Sequence, residues 1–88
     1  MNQKKIKVTN KLGLHARPSA LIVKAATKYR SEFFIEKDGM KVNGKSIMGV
    51  MMLAAECGSA LNLIADGVDE DYLLEEIGAL IDSGFGEE

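Results

Sequence analysis

His15 is the only histidine in the chain, and Arg17 follows it two positions later. An imidazole in ordinary surroundings titrates near about 6.5, so at neutral pH it offers an uncharged ring nitrogen that can attack phosphorus. The phosphoramidate formed in that way keeps a high transfer potential, so the group can move onward. Arg17 can present a planar fork of donors to phosphate oxygens. Position adds to chemistry. Proline is tolerated in the first turn of a helix, so Pro18 puts a helix start at Ala16 and His15 at its N-cap. Backbone N–H groups without helical partners lie there and attract anions. The plain alternative is an exposed helix-start histidine with no role. The N-cap position, the neighbouring arginine, the flexible loop at Gly13 and an apolar outer face weigh against it.

That outer face can be read from the spacing. At 100° per residue, Ala16, Ala20, Lys24 and Thr27 share one side of the helix, opposite Ile22, Ala25, Ala26 and Tyr29. Leu14 adds an apolar residue in the loop before it. Met48, Met51 and Met52 stand at i, i+3 and i+4 of a second, short helical segment. Clustered methionine makes an adaptable contact surface for several partners, and the alternative is that these side chains are core. Because that segment must bury Val50 and Leu53, some of the three are expected outside.

Gly39 to Ser46, GMKVNGKS, matches the phosphate-loop pattern G-x-x-x-x-G-K-[ST], and LNLIAD (Leu61 to Asp66) imitates its hydrophobic strand with a magnesium-binding Asp. A small nucleotide binder is therefore the rival reading. The chain is short for the parallel sheet such sites need, and Asp38-Gly39 before alternating Met40-Lys41-Val42-Asn43 reads as a hairpin. Ser46 suits a helix cap. An exposed capping hydroxyl is also a natural phosphorylation target, and its added charge would sit beside the Met cluster.

These residues need a scaffold. Ile6 and Val8 alternate with Lys5, Lys7 and Thr9 as a half-buried strand, and Asn10 to Leu14 is a loop. The helix from Ala16 is expected to reach about Tyr29. Phe33 to Lys37 and Met40 to Asn43 are strands. Ile47 to Leu53 is the short helix, with Gly58 near its end or just after. Leu61 to Ala65 is a fourth strand. Asp69 to Asp71 favour the start of a last helix, with Leu73, Leu74, Ile77, Leu80 and Ile81 as its core stripe and Gly84 as its stop. The order β-α-β-β-α-β-α fits an α+β open-faced sandwich with an antiparallel sheet. The order of strands within the sheet does not follow from this reading.

The 88 residues suffice for one domain, expected to span 1–88. Hydrophobic residues are 47% and charged residues 27%, which argues against disorder. With no Trp, the core is expected to be aliphatic, with Met filling irregular gaps. A net charge of −2 offers no basic surface for nucleic acid. Lone Cys57 cannot close an internal disulfide or build a zinc site and is read as an inert small hydrophobe in a reducing compartment. Neither a signal peptide nor an apolar stretch of bilayer length is seen, so a cytoplasmic protein without membrane insertion is expected. No ligand cluster calls for a metal, and no cofactor is expected.

NKLGLHARPSA (Asn10 to Ala20) closely resembles the active-site segment of the HPr family, histidine-containing phosphocarriers of the bacterial phosphotransferase system. VNGKSIMGVMML (Val42 to Leu53) is similar to that family's regulatory-serine segment, and the likeness runs over essentially the whole chain. The resemblance implies that His15 is phosphorylated on Nδ1, with Arg17 stabilising the phosphoryl group. It implies enzyme I as donor and enzyme IIA proteins as acceptors. The fold implied is an open-faced β-sandwich, a four-stranded antiparallel sheet with three helices on one side. The family's partner surface corresponds to Ala16, Ala20, Lys24, Thr27, Ile47, Met48, Met51 and Met52. Ser46 aligns with the serine modified by the HPr kinase/phosphorylase of some bacteria. Leu80 to Glu88 and Asn10 to Gly13 resemble the nitrogen-related branch, whereas GKSIMGVM resembles the sugar-transport branch. The expected function is thus that of a monomeric carrier, not an enzyme, effecting two in-line transfers between histidines. A docking module that regulates partners without relaying phosphate is the other reading.

Overall fold

The computed structural model describes residues 1–87. The chain runs β1 (Asn2–Lys7), α1 (Ala16–Ala26), β2 (Glu32–Lys37), β3 (Met40–Asn43), α2 (Ile47–Met52), β4 (Ala60–Asp66) and α3 (Glu70–Asp82), followed by one 3₁₀ turn, Gly84–Gly86. The strands form one antiparallel sheet in the order β1-β4-β2-β3. The three helices cover one face and leave the other open, so the α+β open-faced sandwich stands.

The register explains which side chains go inside. Ile6 faces Leu61, Phe33 faces Ala65, and Ile35 faces both Leu63 and Val42. Alternation then sends these residues to the helix side, where Ile22, Ala26, Leu73, Ile77 and Ile81 meet them with almost no exposure. Each Ile, Leu or Phe side chain buried in this way contributes about 1.5–3 kcal/mol by leaving water. Asp38 (φ +51) and Gly39 (φ +83) turn the β2–β3 hairpin, both left-handed as a type I′ turn requires.

Several expectations need correction. All five methionines are exposed, from 43% at Met51 to 77% at Met48, and the buried gaps are filled by Phe33 and Phe85 instead. Leu14 is core rather than outer face, tied by its N–H to the Ala55 carbonyl at 2.9 Å, and Leu12 is the exposed loop residue. α1 stops at Ala26, three residues short of Tyr29. There the Lys45 ammonium donates to the Tyr29 carbonyl at 2.8 Å, which holds the chain as it turns toward β2. β1 begins at Asn2, not at Ile6, because an edge strand needs no buried residue along its outer half and its lysines discourage further pairing. Gly58 does not end α2. Leu53 is its C-cap and Ala54 (φ +49) turns the chain away. Cys57 is exposed, its thiol donating to the Thr9 carbonyl at 3.7 Å, and is not a buried hydrophobe.

The nucleotide-binding reading is overturned. Gly39 to Ser46 is a hairpin followed by a helix cap, and its amides are already committed. Gly44 N–H donates to the Phe33 carbonyl at 2.8 Å, Lys45 N–H to Asn43 Oδ1 at 2.9 Å and Ser46 N–H to the Asn43 carbonyl at 3.2 Å. A phosphate cradle needs such amides free and convergent.

Candidate functional site

The loop before α1 is closed locally. Asn10 accepts from Gly13 N–H at 3.1 Å, and Gly13 sits at φ +70, where an added Cβ would lie 2.2 Å from the Ala55 carbonyl oxygen. This fixes Leu14 in the core and delivers His15 to the N-cap with extended backbone (φ −73°, ψ −170°). The His15 carbonyl opens the helix by accepting from Ser19 N–H at 3.1 Å. Pro18 has no N–H to leave over. Among the described residues, the Ala16 and Arg17 amides have no acceptor, and the His15 side chain does not cap them. An anion beside the ring would find both.

The ring itself is half-exposed, its side chain 37% accessible. Nε2 faces a carboxylate: Glu87 Oε2 lies at 2.9 Å and Oε1 at 3.1 Å. The same Oε2 accepts from Arg17 Nη1 at 2.8 Å, while Arg17 Nη2 donates to the Phe85 carbonyl at 3.1 Å. Asn10 Nδ2 donates to Glu87 Oε1 at 3.0 Å. Hydrogen bonds from Asn10, then His15, then Arg17 hold the Glu87 carboxyl below its usual range. It is therefore an ionised acceptor at neutral pH, and Nε2 must carry the proton it faces. The lone pair is left on Nδ1, which has no partner among the described residues. A side chain on one ring nitrogen thus leaves the lone pair on the other.

Glu87, Asn10 and Phe85 were not among the residues expected from the sequence. Phe85 anchors the arrangement: it is buried to 3% exposure although its φ is +59, unusual for a bulky residue, so packing holds a turn the backbone alone would resist. Asn10 to Gly13 does carry a turn signature. Nothing in the sequence marks Glu87, which meets His15 across 72 positions.

The other expected residues lie on exposed surface. Ala16, Ala20 and Lys24 are exposed on α1, as is its C-cap Thr27, whose Oγ1 donates to the Lys24 carbonyl at 3.0 Å. Ile47, Met48, Met51 and Met52 are exposed on α2, which packs against α1. Ser46 caps α2 by accepting from Gly49 N–H at 3.1 Å. The structure brings His15 and Arg17 together through Glu87. It gives Ser46 no direct contact with that cluster.

The comparisons with known proteins can be set beside this geometry. The family model described as PTS HPr component phosphorylation site matches residues 2–83. The HPr-like protein Crh of Bacillus subtilis is 51% identical over 81 residues, 92% of this chain and 95% of its own. Phosphocarrier protein HPr of Treponema pallidum is 48% identical over 85 residues, 97% of each chain. The crystal structure of HPr-C-His from Thermoanaerobacter tengcongensis is 48% identical and covers 100% of this chain and 99% of that one, with a TM-score of 0.96. A family model spanning nearly the whole length, and a solved structure superposing throughout, agree with what the fold and the helix-start histidine indicate: this chain belongs to the HPr family of phosphocarrier proteins.

Proposed function

We propose that this protein takes a phosphoryl group from phospho-enzyme I onto His15 Nδ1 and hands it to a histidine of an enzyme IIA protein. One observation carries the reading: at the open start of α1, Glu87 occupies Nε2 and leaves Nδ1 without a partner among the described residues. In each transfer the lone pair of the acceptor nitrogen forms the new P–N bond in line as the old one breaks, and the leaving electron pair returns to the donor ring. Attack by Nδ1 with Nε2 still protonated generates positive charge on the His15 ring, and Glu87 lies 2.9 Å away to neutralise it. Arg17 has five N–H donors, so those not bonded to Glu87 and Phe85 are free for phosphoryl oxygens. The exposed rows of α1 and α2, Ala16, Ala20, Lys24 and Thr27 with Ile47, Met48, Met51 and Met52, form the docking surface that excludes water during transfer.

In this reading residues 1–88 act as one domain, a monomer in the cytoplasm. Ser46 is the regulatory site of an HPr kinase/phosphorylase in organisms that have one. The test is incubation with enzyme I and labelled phosphoenolpyruvate, followed by mapping of acid-labile phosphate. Label on His15 that disappears in His15→Ala is expected. Label retained in that variant would overturn the assignment. Partner regulation undisturbed by His15→Ala, with no labelling of the native protein, would instead favour a docking module without relay.

A further inference from the structure

Asn10 is only 2% exposed, and its buried side chain is used in an unusual way. The short turn it begins has a backbone bond of its own, Gly13 N–H to the Asn10 carbonyl at 3.1 Å. The side chain of an Asn in such a turn ordinarily contributes its oxygen as acceptor to a nearby amide. Here Oδ1 is buried with no partner among the described residues, and all the bonding is done by Nδ2. That nitrogen donates to the Gly13 carbonyl at 2.7 Å and to Glu87 Oε1 at 3.0 Å. Exchanging the amide's two ends would set oxygen against two acceptors, so the observed orientation is the one these neighbours demand. An unsatisfied buried acceptor costs stability. The arrangement gives up one bond to aim a donor at a carboxylate.

We propose that Asn10 is a positioning residue for His15, holding Glu87 Oε1 so that the carboxylate faces Nε2 and the ring keeps its lone pair on Nδ1. The inference deepens the phosphocarrier reading and rests on it only for its consequence in transfer. Among the described residues, the charged and titratable groups bonded to Glu87 are the His15 ring at 2.9 Å and the Arg17 guanidinium at 2.8 Å. Arg17 is the more exposed of the two, its side chain 55% accessible against 37% for His15. Alone, it would let the carboxylate pivot with it into solvent. Asn10 is fixed in the protein interior and supplies the third point that stops this pivot. The Asn10 bond is also the largest cause holding the Glu87 carboxyl below its usual range.

The experiment reads the His15 ring directly by nitrogen NMR, in the full-length protein without phosphate, comparing native protein, Asn10→Ala, Glu87→Ala and the double variant. In the native protein, at a pH where the ring is neutral, the two ring nitrogens should resonate far apart, as one dominant Nε2–H tautomer requires. In Asn10→Ala they should draw together, and in the Glu87→Ala background the Asn10→Ala change should add nothing. Should Asn10→Ala not fold, Asn10→Ser takes its place. It keeps a hydroxyl beside the Gly13 carbonyl and is too short to reach Glu87. An unchanged tautomer in the folded variant would overturn the proposal, and so would an equal shift in both Glu87 backgrounds. The expected drop in phosphoryl acceptance is roughly tenfold, the scale of one hydrogen bond to a charged acceptor. Because the NMR measurement involves no phosphate, the inference can fail while His15 is still phosphorylated, and it can hold if it is not.

Discussion

The Nε2 atom of His15 lies 2.9 Å from Oε2 of Glu87, although 72 positions separate the two residues. The pairing joins the start of α1 to the turn that follows α3, and Arg17 binds the same oxygen at 2.8 Å. Before any phosphoryl group arrives, this carboxylate supplies the negative charge that the arginine and the ring both favour. A transferred phosphoryl group must therefore share Arg17 with Glu87 or take it over.

Arg17→Ala is expected to slow phosphoryl acceptance by about 10²- to 10³-fold, the usual scale for removing a preorganised donor to developing charge. The fold should survive with little change in melting temperature, because the side chain is largely exposed and its bonds lie at the surface. Arg17→Lys should recover only part of the rate, since an ammonium cannot reproduce the planar fork. Stopped-flow labelling with phospho-enzyme I and a thermal melt would separate the two effects. A large fall in stability would show that the residue is structural.

Ser46→Ala removes the oxygen that accepts from Gly49 N–H and should cost about 1 kcal/mol in urea unfolding. Ser46→Asp keeps an acceptor and adds charge beside the exposed Met side chains of α2. It should be stable yet accept phosphate from enzyme I more slowly. Identical acceptance kinetics for Ser46→Asp and the native protein would remove the regulatory role proposed for this serine.

Met48→Ser and Met51→Ser test the docking surface. These side chains are 77% and 43% exposed, so stability should move by only about 0.5 kcal/mol. Affinity for enzyme I should weaken about tenfold for the pair, measured by titration calorimetry. Val50→Ala on the same helix is the contrasting case. Val50 is fully buried, and its loss should cost about 2 kcal/mol of stability. Unaltered affinity in the Met variants would place the contact surface elsewhere.

Asp69 gives a pH prediction. Its carboxylate accepts from the Ser31 hydroxyl, from Arg30 N–H at 2.9 Å and from Ser31 N–H at 2.9 Å. Those bonds, the serine hydroxyl first, lower its pKa from 3.8 to about 2. A carboxyl depressed on folding binds its proton more readily when unfolded. Its contribution to stability is therefore fully present above about pH 4 and fades as pH falls toward 2. Asp69→Asn should lower the melting temperature at pH 7 and flatten the melting curve's dependence on pH over that window. A variant as acid-sensitive as the native protein would mean that other carboxylates set the response.

Much of the scaffold was legible because it rests on local pattern. The β2–β3 hairpin announced itself through Asp38-Gly39, α2 through Ser46, and the α3 stripe through the spacing of Leu73, Leu74, Ile77 and Ile81. His15 and Arg17 were legible for the same reason, with helix-start chemistry concentrated in a few neighbouring residues. What was missed depends on tertiary contact. α1 ends early as its next amides bond three residues back, Tyr29 N–H to the Ala26 carbonyl at 3.1 Å, and Lys45, on a later loop, binds the Tyr29 carbonyl. The exposed Met48, Met51 and Met52 were expected, but the aromatic filling of the core by Phe33 and Phe85 was not. Glu87 has no local signal at all, since its role is set by where the turn after α3 comes to rest.

That last point reaches beyond chemistry. A chain whose third helix has not yet docked already carries the nucleophile, the arginine and the open helix start, but the counter-charge is still elsewhere in solution. Bringing it home means closing a loop of nearly the entire polypeptide, which happens only when the sheet and the helices above it have settled. In the proposed relay, competence is thus tied to completed folding. An immature or locally unravelled copy would draw little from the cell's supply of energised phosphate.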